Sequence, residues 1–367
     1  MSTVFNTQHT GSTPFMFFGE EQSIYRIDKL VQPSFDKLAR RQKGFFWQPE
    51  EIDVTKDQKD FKLLDAGQEH IFTSTLTYQN MLDSVQGRGP DLALLPHASL
   101  PELEAFILWW SAMEQTHADS YSYIVRNVYS NPTAVFDQSA INPNIVTRAK
   151  NTIKYYDDFL DASIKYRAGV GNISETELKR KFLLMIVSIN ALEGLSFYQS
   201  FACSFAFAEQ GLMVGNSNII SLIARDENLH LAGTQTMLKL WREGKDDPVF
   251  KQLYFEEIDQ IKAIYENIVQ QEKEWSEYLF SRGSMLGLNE QILGDYVEYI
   301  AGLRLKNLGI KHDYAVKNPL PWTLNYLNTS DKQVAPQEQE ILTYTIGGIK
   351  NDLERADFKA YRPNLRR

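Results

Sequence analysis

From about residue 33 onward, apolar residues recur at three- and four-residue intervals, and strict apolar–polar alternation over five or more residues is hard to find. That period lines one face of a helix and gives a strand no consistent inward side, so the expected fold class is all-α. Long helices are predicted over 66–87, 102–129, 143–168, 174–208, 216–243, 247–281 and 286–309. The breakers fit these limits: Gly87, Gly89 and Pro90 close the first, Pro101 opens the second at its first helical position, Asn131 and Pro132 follow it, and 211–218 separates 174–208 from 216–243. Several of these helices exceed twenty residues without heptad regularity, which suits one large bundle with additional long helices, spanning 1–325. With 367 residues, 43% of them hydrophobic, the chain can bury a sizeable core. Over 326–367 the apolar pattern is diluted by Asn328, Ser330, Asp331, Pro336, Gln337, Gly347 and Gly348, so this stretch is expected to be a flexible C-terminal tail that docks a partner. Its Ile341, Leu342, Tyr344 and Ile346 leave open a tail that covers part of the core instead.

Composition narrows the function. The net charge is −9 and no block of Lys and Arg marks one face, which argues against nucleic acid as a partner. A single cysteine, Cys203, cannot form an internal disulfide, and 1–20 lacks the charged start and apolar run of a secretory leader, so a cytoplasmic protein is expected. No uninterrupted apolar run approaches eighteen residues, since even 201–208 contains Ser204; no membrane role is expected.

The chemistry resides in a repeated pattern. Of six histidines, His117 and His230 each follow a glutamate by three residues, as Glu114-Gln-Thr-His117 and Glu227-Asn-Leu-His230. With 25 glutamates in the chain, chance supplies about 0.4 such pairs. Each pair shares a helical face within an otherwise apolar stretch, and each is preceded on another predicted helix by an isolated carboxylate, Asp83 by 31 residues and Glu193 by 34. Those intervals are what a helix, a loop and a return helix require, so two antiparallel helix pairs would face each other. The pattern, one carboxylate from each of two helices and Glu-x-x-His from each of two more, resembles the ferritin-like dimetal carboxylate site. Four carboxylates neutralise two divalent ions, and two neutral imidazoles add ligands without charge. Without metal, so many carboxylates buried together would have to repel or take up protons, at a cost of several kcal/mol per uncompensated ion.

Tyr121 lies four residues after His117 and seven after Glu114, which projects its phenol from the same face. A buried tyrosine needs a polar partner, and the nearest predicted are Asp83 and the other ligands. Phe197 and Phe201 follow Glu193 by four and eight residues and Ile223 precedes Glu227 by four, so these three are expected to form a dry pocket around the tyrosine. At that spacing they are equally ordinary core.

Over nearly the whole chain, from Met16-Phe-Phe-Gly19 to Val334-Ala-Pro-Gln337, the sequence resembles the small, radical-generating subunit of bacterial class Ia ribonucleotide reductases. The resemblance is carried by Phe45-Phe46-Trp47, Leu82-Asp83-Ser84, Ala93-Leu94-Leu95-Pro96, Asn190-Ala191-Leu192-Glu193, the run from Ser200 through Cys203 to Glu209, and Ile223-Ala-Arg-Asp-Glu-Asn-Leu-His230. It implies that Asp83, Glu114, His117, Glu193, Glu227 and His230 bind two iron ions as an oxo-bridged pair, which react with dioxygen to oxidise Tyr121 to a stable radical. Manganese is an open alternative, since both hard ions suit these ligands. The resemblance further implies that Trp47 relays an electron, that Asp226 acts on the near metal through His117, and that Tyr344 passes the oxidising equivalent to a separate large subunit. For Trp47 the rival reading is an aromatic core residue, and for Asp226 a helix salt bridge with Arg225. A homodimer is also implied. With one cysteine the chain cannot carry a thiol-based reduction of ribose, so that chemistry would reside in the large subunit, and Cys203 reads as core. One departure is the ending Arg362-Pro-Asn-Leu-Arg-Arg367, where the family commonly ends acidic and apolar. The alternatives carried from sequence are another dimetal carboxylate oxidase or monooxygenase component, which needs an open substrate cavity, and iron storage, which Asp rather than Glu at position 83 disfavours.

Overall fold

The computed structural model describes residues 15–20, 24–314 and 317–327. Among them the chain is helical and has no strand; extended pairing is limited to isolated bridges between Phe17 and Ala98 and between Met285 and Leu288. The helices in chain order are α1 (Pro33–Gly44), α2 (Thr55–Phe61), α3 (Ala66–Gln86), α4 (Gly89–Ala93), α5 (Pro101–Val128), α6 (Pro132–Ile141), α7 (Pro143–Ala168) and α8 (Glu175–Ala191). A π-helical turn, Leu192–Ser196, then leads into α9 (Phe197–Glu209), followed by α10 (Val214–Glu243), α11 (Pro248–Glu256), α12 (Ile258–Leu279), α13 (Glu290–Asn307) and the short α14 (Leu324–Leu327).

Four of them form the centre. α3 packs on α5, α9 packs on α10, α10 also meets α5 and α3 meets α9, so the four close a ferritin-like bundle. α1 covers α5, α7 and α12 cover α8, and α13 rests on α12 and on the π-turn. Local sequence fixes where the central helices begin. Asp65 accepts from the backbone N–H groups of Gly67 and Gln68, and its own N–H donates to the Gln68 side chain, closing a capping box ahead of α3. α10 is capped from another helix: Asp57 of α2 accepts from the N–H groups of Gly215 and Asn216, and Asp60 accepts from that of Met213. Gly215 permits this closeness, because a Cβ there would stand 2.6 Å from the Asp53 carbonyl oxygen.

Sequence and structure part company at two of the long helices. The predicted 174–208 is not one α-helix but α8 and α9 joined by the π-turn at Glu193. The predicted 247–281 breaks at Glu257, where Glu256 and Glu257 both turn to Arg180, at 2.9 and 2.8 Å. There is no glycine or proline at that break, so no local signal announces it. α1, α2 and α6 fall outside the predicted segments; Pro132, read as a breaker, instead opens α6. The stretch Glu175–Glu209 reaches the length and apolarity of a membrane-crossing helix, which the requirement for an uninterrupted apolar run overlooked; 94% of its most apolar window is buried inside the bundle. Near the end of the described chain, Tyr326 stacks on Phe205 at 4.5 Å and donates to Glu209.

Candidate metal centre

All six sequence-predicted ligands meet in the middle of the four-helix centre. Asp83 comes from α3, Glu114 and His117 from α5, Glu193 from the π-turn, and Glu227 and His230 from α10. Asp83 is 1% exposed and the other five are fully buried. Their donor atoms fall into two overlapping groups, each with all atoms within 4.8 Å of one another: Asp83, Glu114, His117 and Glu227, and Glu114, Glu193, Glu227 and His230. Glu114 and Glu227, the two glutamates of the Glu-x-x-His pairs, belong to both. His117 Nδ1 lies 3.1 Å from Glu227 Oε1 and 3.5 Å from Glu114 Oε2, while His230 Nδ1 lies 3.0 Å from Glu114 Oε1 and 3.1 Å from Glu227 Oε2.

The chemistry of the donor set can be tested for fit. Each of the six residues leaves at least one buried polar atom with no hydrogen-bond partner: both oxygens of Asp83, Oε2 of Glu114 and Glu193, Oε1 of Glu227, Nδ1 of His117 and Nε2 of His230. Buried polar groups are ordinarily satisfied, and so many orphans in one place, mostly acceptors, are what a pair of cations would complete.

Protons hold the cluster together in the absence of metal. Burial, with the charges of Glu114 and Glu227, drives the Asp83 and Glu193 carboxyls well above the usual carboxylate range. Burial pushes Glu114 and Glu227 the same way, but their bonds and attraction to the histidines prevail, with Glu193 also bonding to Glu227, and both end below the usual range. Burial opposes charge on the two imidazoles, yet the surrounding carboxylates raise His117 well above its ordinary value and His230 to about 9. In the metal-free cluster two carboxyls and both imidazoles are therefore shifted toward their protonated forms. Two divalent ions must displace those protons. Metal loading at pH 7 should release protons, and apparent affinity should fall as pH falls because protons and metal compete for the same atoms. Calorimetric titration in buffers of different ionisation enthalpy detects the release; metal uptake with no proton release would contradict this competition.

Around the ligands the structure adds a shell of directed bonds. Asp226 Oδ2 accepts from the Trp47 indole at 2.8 Å and lies 3.4 Å from His117 Nε2, while its Oδ1 takes the Arg225 guanidinium at 3.0 Å. Both contacts expected of Asp226 are present: the salt bridge with Arg225 steadies the carboxylate that faces His117. Tyr121 is fully buried, and its hydroxyl lies beside Asp83 without closing a hydrogen bond. Burial and the Asp83 charge raise the phenol well above its ordinary pKa, so it keeps its proton. Phe197, Phe201 and Ile223 are fully buried, and the two phenylalanine rings stack at 6.0 Å. Tyr344 lies outside the described residues.

Sequence reasoning missed four residues here. Trp110 donates to Glu114 Oε1 at 2.8 Å and stacks on the His230 ring at 5.3 Å. Gln86 donates to Glu193 Oε1 and is itself held through its carbonyl by Tyr156, at 2.8 Å. Arg304 donates to the Gly194 carbonyl at 3.0 Å. Trp110, four residues before Glu114, and Gln86, three after Asp83, stand at helical spacing from predicted ligands and were there to be found. Tyr156 and Arg304 carry no such signal.

Comparison with known proteins follows the same line. A family model described as ribonucleotide reductase, small chain, matches residues 26–319. The chain is 43% identical over 357 residues to ribonucleoside-diphosphate reductase 1 subunit beta of Escherichia coli O157:H7, covering 94% of this chain and 95% of that protein. Among solved structures, a ribonucleotide reductase R2 subunit from Clostridium botulinum matches with a TM-score of 0.77 at 26% identity, over 89% of this chain and 98% of that one. A dimanganese(II) protein from Streptococcus sanguinis shares the fold, with a TM-score of 0.66 at 19% identity over 83% of this chain and 99% of that one.

Proposed function

This chain belongs to the ribonucleotide reductase small-chain family, as a bacterial class I small subunit, and we propose that it serves the reductase by holding two metal ions among the six buried ligands and oxidising Tyr121. The observation that carries this reading is the convergence of donor atoms from all six residues on one buried space, most of them unpartnered, with Glu114 and Glu227 common to both halves. When bound, the ion pair supplies the capacity to react with dioxygen and remove an electron from a nearby group. Asp83 and His117 complete one ion position, Glu193 and His230 the other. Iron is the proposed metal, with manganese the alternative that the same hard ligands accept.

The protein's own part is to make Tyr121 the group that is oxidised and to keep it so. The phenol gives up one electron and, with it, its proton; the Asp83 carboxylate is the group beside the hydroxyl able to receive that proton. Phe197, Phe201 and Ile223 form the proposed dry wall around the radical, where reductants and water have no entry. Trp47 is positioned to deliver the additional electron that dioxygen reduction consumes, along the path from its indole N–H through Asp226 to His117.

The small subunit has a large-subunit partner, to which the substrate chemistry belongs. Cys203 is buried and its thiol is pushed up to about 12 by desolvation, so it offers no thiolate for ribose reduction. We assign residues 1–325 to the dimetal domain and 326–367 to docking, with Tyr344 handing the oxidising equivalent across, and the protein working as a cytoplasmic homodimer. Reconstitution with the large subunit tests this: ribonucleoside diphosphate reduction should require both chains. Tyr344→Phe should retain the radical and lose turnover, and normal turnover in that variant would remove Tyr344 from the path.

A further inference from the structure

The π-turn is the least ordinary piece of backbone in the centre, and it carries a ligand. In it the Phe197 N–H reaches back to the Leu192 carbonyl, one residue further than in an α-helix, so the turn bulges at Glu193 and Gly194. A bulge of this kind is not specified by its own residues; something outside must hold it. Two contacts do. Gln86, braced by Tyr156, holds the Glu193 carboxylate, and Arg304 of α13 donates from Nε to the Gly194 carbonyl. The Arg304 guanidinium is itself seated 4.8 Å over the ring of Tyr198, whose hydroxyl bonds to Asn228 on α10. Gly194 is built for the contact: a Cβ there would stand 2.9 Å from Leu231, the neighbour of His230, and 3.2 Å from Arg304 Nε.

We infer that Arg304 is a positioning residue for the metal centre, setting Glu193 by pinning the bulge at Gly194. It touches no ligand. Its effect should therefore fall on one half of the site, because Glu193 belongs only to the group it shares with His230, whereas Asp83 and His117 stand on helices that Arg304 does not reach. This rests on the dimetal reading above.

The test is titration of the metal-free protein with Mn(II), followed by electron paramagnetic resonance, which separates free ion, isolated bound ion and spin-coupled pair. Wild type should take up two ions per chain and show the coupled signal. Arg304→Met should bind one ion as wild type does and the second about tenfold more weakly, so that isolated bound Mn(II) persists where wild type is paired. Arg304→Lys, which restores a donor, should recover part of the coupled signal. Gly194→Ala, which displaces the same carbonyl without removing a charge, should reproduce the split and serves if Arg304→Met fails to fold. Wild-type pairing in both Arg304→Met and Gly194→Ala, or equal weakening of both ions, would overturn the inference. Absence of Mn(II) binding by wild type would instead overturn the dimetal reading, and this inference with it.

Discussion

Tyr121→Phe should leave two metals per chain, abolish the tyrosyl signal and reduce turnover with the large subunit to background. The expected loss is the whole activity, because the phenol is the redox group and phenylalanine offers no accessible one-electron oxidation. The substitution is also mild structurally. Tyr121 is fully buried and its hydroxyl has at most a poorly aligned bond to Asp83, so removing that oxygen should change stability by no more than about 1 kcal/mol in either direction. Metal content should be unaffected, since all six proposed ligands are kept. Metal analysis, resonance spectroscopy and thermal melting on one preparation separate these outcomes. An undiminished tyrosyl signal would move the radical to another residue.

Glu227→Ala should empty both ion positions. Glu227 is common to the two ligand groups and approaches both histidines at 3.1 Å, so its loss removes a charge and a donor from each position at once. Affinity at both should drop by more than a hundredfold, beyond the effect expected of a residue that merely orients a ligand. His230→Ala is the contrast: it belongs to one group, and about one ion per chain should remain. Folding should survive Glu227→Ala. Removing a buried anion would normally strand its partners at a cost of about 3–5 kcal/mol, but Asp83 and Glu193 hold protons they can release to restore neutrality. Counting bound metal after gel filtration checks both variants. Two ions per chain in Glu227→Ala would remove it from its bridging position.

The six residues that the structure brings together were legible because each obeys a rule that sequence displays. Glu114 with His117 and Glu227 with His230 stand three residues apart on helices, and the isolated Asp83 and Glu193 precede them at intervals that one return of the chain explains. The helix limits were legible where proline or glycine writes them, as at Gly87 and Pro101. They were hidden where a distant contact decides. Arg180 draws Glu256 and Glu257 and ends α11 without any breaker, and Arg304, more than a hundred residues along the chain from Gly194, holds a carbonyl in a bulge whose own residues would propagate an α-helix. The same holds for the start of α10, capped by Asp57 rather than by a residue next to it. In each case the signal belongs to a pair of elements, and one stretch of sequence contains only half of it.

The proposed action of this buried cluster, once loaded with metal, is to make a radical on Tyr121. Its most direct test is to load the metal-free protein anaerobically with ferrous iron, admit air, and record electron paramagnetic resonance and bound iron together. Two irons per chain with a tyrosyl signal is the predicted result. Two irons with no radical would overturn the iron assignment and lead to manganese loading or a different dimetal oxidase chemistry, and no bound iron would overturn the dimetal site itself.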